Sequence, residues 1–417
     1  MSASISVAKA ADPFFETIFD GQWNACVGIQ GDEQNYVDGY IEAALELISA
    51  VIDKKMMMSR DTLAMPILYN GRHALELSLK FAINHLHRMG AVGARHRSNH
   101  DILSHWTHLR DARVGDASIR TLVSELEPFV VSLAKIDNDG QELRYAENSH
   151  GQKSLGGIAI VNLSHIRTSL ESMSRILERL KDRVFDLEAE RSTGSYTPEC
   201  SRGDLKEIAA MIGERTSWKD KGFDEKKAAV CARFDLSNRK FSNAVNKILQ
   251  SRELATLVGI ETELTYLKDE KAVFALEQWL KANPERTIEP ADAGIDYFHR
   301  DRDKFEEYNR LAGELRETII DGLSIEELSD LETLFYIGRG TEFGEHYDRM
   351  LTKTLGTHRL AKSRWEGVDH IMSKTNLLDN VVKGCKVAGR PTLAAKLRAL
   401  RPGVKADNSR INEKHTI

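Results

Sequence analysis

Between residues 161 and 190 the chain places Leu163, Ile166, Leu170, Met173, Ile176, Leu180, Val184 and Leu187 at steps of three and four. That period is one face of an α-helix, and a helix this long has to lay such a stripe against other helices. The same period recurs over residues 36–53, where Ile41, Leu45, Ile48 and Val51 or Ile52 share a face and Lys54 and Lys55 follow at the C-terminal end. Eight prolines in 417 residues leave long stretches unbroken, and a hydrophobic share of 41% is enough to bury a core. The expectation is a mainly α protein that begins with a helical bundle.

The densest polar stretch is residues 71–112, GRHALELSLKFAINHLHRMGAVGARHRSNHDILSHWTHLRDA, which holds seven of the fourteen histidines. Leu75, Leu77, Leu79, Phe81, Ala82 and Leu86 give its first half a broad apolar face, so a helix starting near Pro66 is expected. Gly90 and Gly93 interrupt the pattern, and Ser98 or Asn99 is placed to cap a second helix beginning near His100. Free N–H groups at such a start can hold an anion. His85 and His87 fall on different faces and read as surface residues. A fourth helix is expected over 117–135, followed by an Asn/Asp/Gly-rich excursion, IDNDGQELRYAENSHGQKS.

At this length two or three domains are expected. Residues 1–190 form the first bundle, its irregular start anchored by Phe14, Phe15 and Trp23. RSTGSYTPECSRGD, 191–204, reads as a linker. Residues 205–285 form a helical module and 286–417 a helical C-terminal region with a basic tail. Within the module, a helix to Phe234, a turn at Asp235 and Leu236, Ser237 as N-cap and a second helix with Phe241 and Val245 inward lay out a helix-turn-helix. Arg239, Lys240 and Asn243 then face outward as candidate nucleic-acid contacts, although Asp235 stands where the usual turn glycine would be. Further helices are expected around 262–283, 301–319 and 324–337, and a helix–loop–helix corner at 337–351. Residues 353–405 carry twelve Lys or Arg against Glu366, Asp369 and Asp379. Arg398 and Arg401 are therefore candidate contacts to a polyanion, and the last dozen residues are expected to be disordered.

The net charge of −5 selects no partner class. Cys26, Cys200, Cys231 and Cys385 are far apart with no C-x-x-C pair, which fits a reducing cytoplasm and argues against a cysteine zinc site. No signal peptide and no membrane span are read. Walker, dinucleotide-binding, H-E-x-x-H and G-x-S-x-G motifs are absent, which removes the strongly marked enzyme classes.

The run RHALELSLKFAINHL, then NHDILSHW, then a turn with ELRYAEN resembles the HEPN domain group over roughly residues 35–190. The resemblance implies a small helical bundle that often cleaves RNA without a metal in toxin or host-defence systems. It also implies a homodimer that brings two motifs together and needs no cofactor. Active members carry an arginine, four to six residues and a histidine. Arg95–His100 has that spacing, with polar His96 next to Arg95, and so do Arg144–His150, Arg339–His346, Arg364–His370 and Arg410–His415. Arg95–His100 ends at an expected helix start within the resembling segment, although the family carries its motif near the start of the last bundle helix. The implied roles are His100 for proton transfer, Arg95 for phosphate, and Asn99 or His96 as orienting groups. Asp101, His105 and His108, with His73 and Asp111, would instead build a divalent-metal hydrolase site. Two further alternatives are a catalytically inactive dimerisation or interaction protein, and a DNA-binding regulator that uses the hairpin at 226–250.

Overall fold

The computed structural model describes residues 14–15, 21–147, 151–283, 302–340 and 342–401. Among them the chain forms seventeen α-helices and no strand, so the fold is mainly α as expected. The chain divides into two compact units, Met1–Arg113 with Ile119–Val184, and Val114–Ser118 with Phe185–Ile417.

The first unit is built from α1 (Glu33–Asp53), α2 (Arg60–Arg88), α3 (Ile102–Asp111), all but the first two residues of α4 (Ala117–Glu125), α5 (Glu127–Asp137) and the first part of α6 (Leu163–Arg191). Asp32 caps α1 by accepting the Gln34 and Asn35 N–H groups at 2.9 and 3.2 Å. The core face of α6 carries Leu170, Met173, Leu177, Leu180 and Val184, with Leu177 taking the place expected of Ile176. α1 buries Val37, Ile41, Ala44 and Ile48, and Lys181 of α6 pairs with Asp38 of α1 at 2.6 Å.

Five local expectations are corrected here. α2 starts a turn before Pro66 and runs through it. Thr62 and Pro66 both face solvent, so the carbonyl deprived of its donor can be hydrated. The single helix expected over 117–135 is two, because Pro128 in the first turn of α5 has no N–H with which to continue α4. α3 is capped by Asp101, whose carboxylate accepts the Ser104 N–H at 2.7 Å, and not by Ser98 or Asn99. Phe14, Phe15 and Trp23, expected to pack back on the bundle, are 85%, 84% and 89% exposed. His85 and His87 are half-buried rather than on the surface, His85 against the Phe81 ring at 4.3 Å.

The second unit has two cores. α7 (Arg202–Ile212), α8 (Phe223–Phe234), α9 (Asn238–Gln250) and α10 (Arg252–Thr256) enclose Leu205, Ile208, Val230, Phe234, Phe241 and Ile248. The turn between α8 and α9 follows the expected chemistry. Asp235 takes the left-handed conformation at φ 54°, and the Ser237 hydroxyl caps α9 by accepting the Lys240 N–H.

The second core is shared by α11 (Asp269–Ala282), α12 (Arg302–Gly322), α13 (Ile325–Arg339), α14 (Tyr347–Leu360), α15 (Arg364–Met372), α16 (Leu377–Val387) and α17 (Pro391–Arg398). α13 and α16 cross backbone to backbone. A Cβ on Gly338 would run into the Asn380 carbonyl, and one on Gly384 into the Leu334 carbonyl. The basic C-terminal stretch also answers the acidic one before it. Arg390 pairs with Glu261, Glu263 and Asp269, Lys396 with Asp269 at 2.7 Å and Arg359 with Glu326 at 3.1 Å, while Arg316 and Asp369, at 2.5 Å, pair in the opposite sense.

Candidate functional site

The first unit holds a carboxylate that its surroundings make costly. Glu76 lies on α2 between Leu75 and Leu79 and is fully buried. Burial alone would raise its pKa. Hydrogen bonds from His73, Lys80, Arg72 and His100 outweigh that penalty and hold the carboxyl far below the usual carboxylate range. Lys80 Nζ donates to Oε1 at 2.6 Å and His100 Nδ1 donates to the same oxygen at 2.9 Å; the Arg72 guanidinium grips Oε2, with His73 Nδ1 3.7 Å away.

Arg72 is 1% exposed and divides its donors between this carboxylate and the loops. Its Nε donates to the Asp137 carbonyl at 3.1 Å and its Nη2 to the carbonyls of Asn138, at 2.8 Å, and His100. One side chain on α2 therefore fixes the backbone of His100 while the next turn fixes its ring. The His100 side chain remains 61% exposed, so its Nε2 edge is left to meet a ligand. Sequence reasoning missed Arg72, Glu76 and Lys80. Their signal was there: charges at i, i+4 and i+8 set into an apolar helix face, which makes sense only if they are paired.

The other expected residues lie around this dyad. Arg95 is exposed, and its side chain makes no hydrogen bond or ion pair with a described residue. Asn99 shapes the loop, accepting the Asp101 N–H at 3.1 Å on its side chain and the His105 Nε2–H at 3.1 Å on its carbonyl. His96 joins a histidine cluster, with Nε2 2.6 Å from the Ser104 hydroxyl, its ring stacked on His108 at 4.9 Å and edge-on to His105 at 4.6 Å. Burial pushes the pKa of both His96 and His105 down; for His96 the neighbouring His108 adds to the effect. His96 and Asn99 thus build the loop that presents His100.

The divalent-metal arrangement does not assemble. Asp101 spends its carboxylate on the α3 cap, and the Nε2 groups of His105 and His108 donate to the carbonyls of Asn99 and Ala94. Among the described residues no group of three or more His, Cys, Asp or Glu side chains is arranged to hold a metal ion.

Arg144 is exposed beside the dyad. Its guanidinium lies 5.7 Å from the Tyr69 ring, and Tyr69 stacks on His73 at 5.6 Å. The histidine of that spacing, His150, lies outside the described residues, as do Arg410 and His415. Arg339–His346 and Arg364–His370 belong to the second unit.

Arg239, Lys240 and Asn243 are exposed on one side of α9, with Lys240 3.3 Å from Glu199. Arg398 is exposed and Arg401 pairs with Asp379 at 3.1 Å. Among the described residues no helix is long and apolar enough to cross a membrane. Comparison with protein-family models, with curated proteins and with solved structures finds no match.

Proposed function

We propose that the first unit binds RNA and cleaves it without a metal. The observation that supports this most is the Glu76–His100 pair: a buried carboxylate orients an imidazole whose other nitrogen is open to solvent. In such cleavage His100 removes the proton from a ribose 2′-hydroxyl, and the 2′-oxygen attacks the adjacent phosphorus. The 5′-oxygen of the next nucleotide leaves and takes a proton from water, the upstream product ends in a 2′,3′-cyclic phosphate, and the His100 imidazolium returns its proton to solvent. Glu76 steadies the imidazolium formed midway, and Arg95 grips the phosphate oxygens as charge builds on them. The toxin or host-defence setting and the homodimer accompany the HEPN resemblance, the cytoplasmic location rests on the scattered cysteines, and all belong to the same proposal.

The test compares wild type, His100→Ala and Arg95→Ala on total RNA with EDTA present. Wild type should cut, and His100→Ala should lose about a hundredfold or more. Cleavage that survives His100→Ala, or that appears only with added metal, overturns the assignment. Salt-sensitive RNA binding without cleavage would make the bundle a silent interaction module.

A second reading, a DNA-binding regulator, is favoured by one observation. α7, α8 and α9 share one core and leave Arg239, Lys240 and Asn243 exposed on the helix after the turn. Sequence-specific duplex binding lost in Arg239→Ala, with RNA cleavage absent, would support it.

A further inference from the structure

The second unit contains a polar constellation that RNA cleavage does not use. Glu332 and Tyr336 stand one turn apart on α13 and line a cleft of roughly 760 Å³. Behind Glu332, His358 of α14 donates from Nε2 to its carboxylate at 2.7 Å. Behind Tyr336, His370 of α15 has its Nε2 2.7 Å from the phenol oxygen and 3.8 Å from Glu332. The glutamate and His358 are mostly buried, at 13% and 8% side-chain exposure, so the pair is part of the packed fold and not a chance surface contact. α15 makes room for it with Gly367, where any side chain would strike the His358 ring.

The opposite wall is α14. Arg349 and Lys353, one turn apart, line the same cleft together with Thr354 and Thr357. Both cations are exposed, and neither makes an ion pair or side-chain hydrogen bond with another described residue. Elsewhere in this C-terminal stretch Arg359, Arg390, Lys396 and Arg401 are matched to carboxylates. Two unmatched cations facing a held carboxylate and phenol make a cleft with an anion end and a donor-and-acceptor end. Glu342, also in the lining, narrows the choice by repelling a ligand that is anionic throughout.

We propose that this cleft binds a small phosphate monoester carrying hydroxyl groups, with the phosphate on Arg349 and Lys353 and the hydroxyl-bearing part on Glu332 and Tyr336. Its volume falls within the range of small-molecule sites. Burial first, then the nearby Glu332 charge, push the Tyr336 phenol up, so it keeps its proton and serves as a donor. A nucleotide and a sugar phosphate share this chemistry, and the experiment separates them.

Full-length protein is titrated calorimetrically with adenosine 5′-monophosphate, ribose 5-phosphate and inorganic phosphate. Either or both of the first two should bind saturably and more tightly than inorganic phosphate. Arg349→Ala/Lys353→Ala should lose about tenfold or more on every ligand that binds. Tyr336→Phe should weaken the organic phosphates several-fold and leave inorganic phosphate unchanged. Binding of both esters indicates recognition of the sugar phosphate, and of the nucleotide alone, recognition of the base as well. No saturable heat with any of the three, or affinities unchanged in the double variant, overturns the proposal. His100→Ala should bind as wild type does, so this result stands apart from the RNA experiment.

Discussion

His100 Nδ1 donates a 2.9 Å hydrogen bond to the buried carboxylate of Glu76, twenty-four residues earlier in the chain. The same carboxylate faces Arg72, so its removal affects function and fold together. Glu76→Gln should destabilise the first unit by about 3–5 kcal/mol, because a buried guanidinium loses its counter-charge. Urea denaturation followed by circular dichroism measures this, and a loss below about 1 kcal/mol would mean that water or another acid compensates Arg72.

Glu76 also gives the fold an acid limit. Its folded pKa is depressed, so its contribution is present above the unfolded carboxylate range and is lost as pH falls below it. The wild-type stability curve should drop steeply below about pH 4.5, and Glu76→Gln should be flatter there.

The histidine cluster acts in a different window. His96 and His105 have depressed pKa values in the fold, so below about pH 6.5 the unfolded chain takes up protons that the fold refuses. Their contribution therefore declines as pH falls from about 7 to 5. His105→Phe, which keeps a ring without titrating, should reduce the slope of melting temperature against pH in that window. An unchanged slope would assign it to other groups.

Where α13 and α16 cross, one methyl should matter. Gly384→Ala sets a Cβ against the Leu334 backbone and should cost on the order of 1–3 kcal/mol or more, since a carbonyl cannot rotate away as a side chain can. Gly356→Ala, with open space around its Cβ, is the control that should leave the denaturation midpoint in place or raise it.

Asp330 is buried and accepts the Tyr266 and Leu267 N–H groups at 3.0 Å each, and the Tyr347 hydroxyl at 2.6 Å. Tyr347→Phe should cost about 1–3 kcal/mol by leaving a buried acceptor short of a partner. A midpoint shift near zero would show that Asp330 is satisfied by its backbone donors alone.

What could be read in advance was local. Asp235 and Ser237 announce their turn and cap within a few residues, and the period of Leu170, Met173, Leu180 and Val184 declares its own face. Pro66 misled because a break rule assumes that the freed carbonyl is buried, and here it is exposed. The candidate site was half legible. His100 was visible through its loop, whereas Glu76 takes its meaning from Arg72, His73 and Lys80 on its own helix and from that loop, twenty-four residues on. Arg390 and Lys396 looked like part of a basic tail because the acid they share, Asp269, lies far upstream in the chain.

That separation has a consequence during synthesis. Asp269 meets Arg390 and Lys396 across 121 and 127 residues of chain. At ordinary translation rates the acidic stretch leaves the ribosome roughly 6–24 s before its cations are made. Until then Asp269 lacks both of its cation partners, so the contacts that tie α11 to α17 cannot form. The second core includes Leu393, Ala394 and Leu397, so it can close fully only when α17 emerges, and that helix sets the moment at which this core is complete.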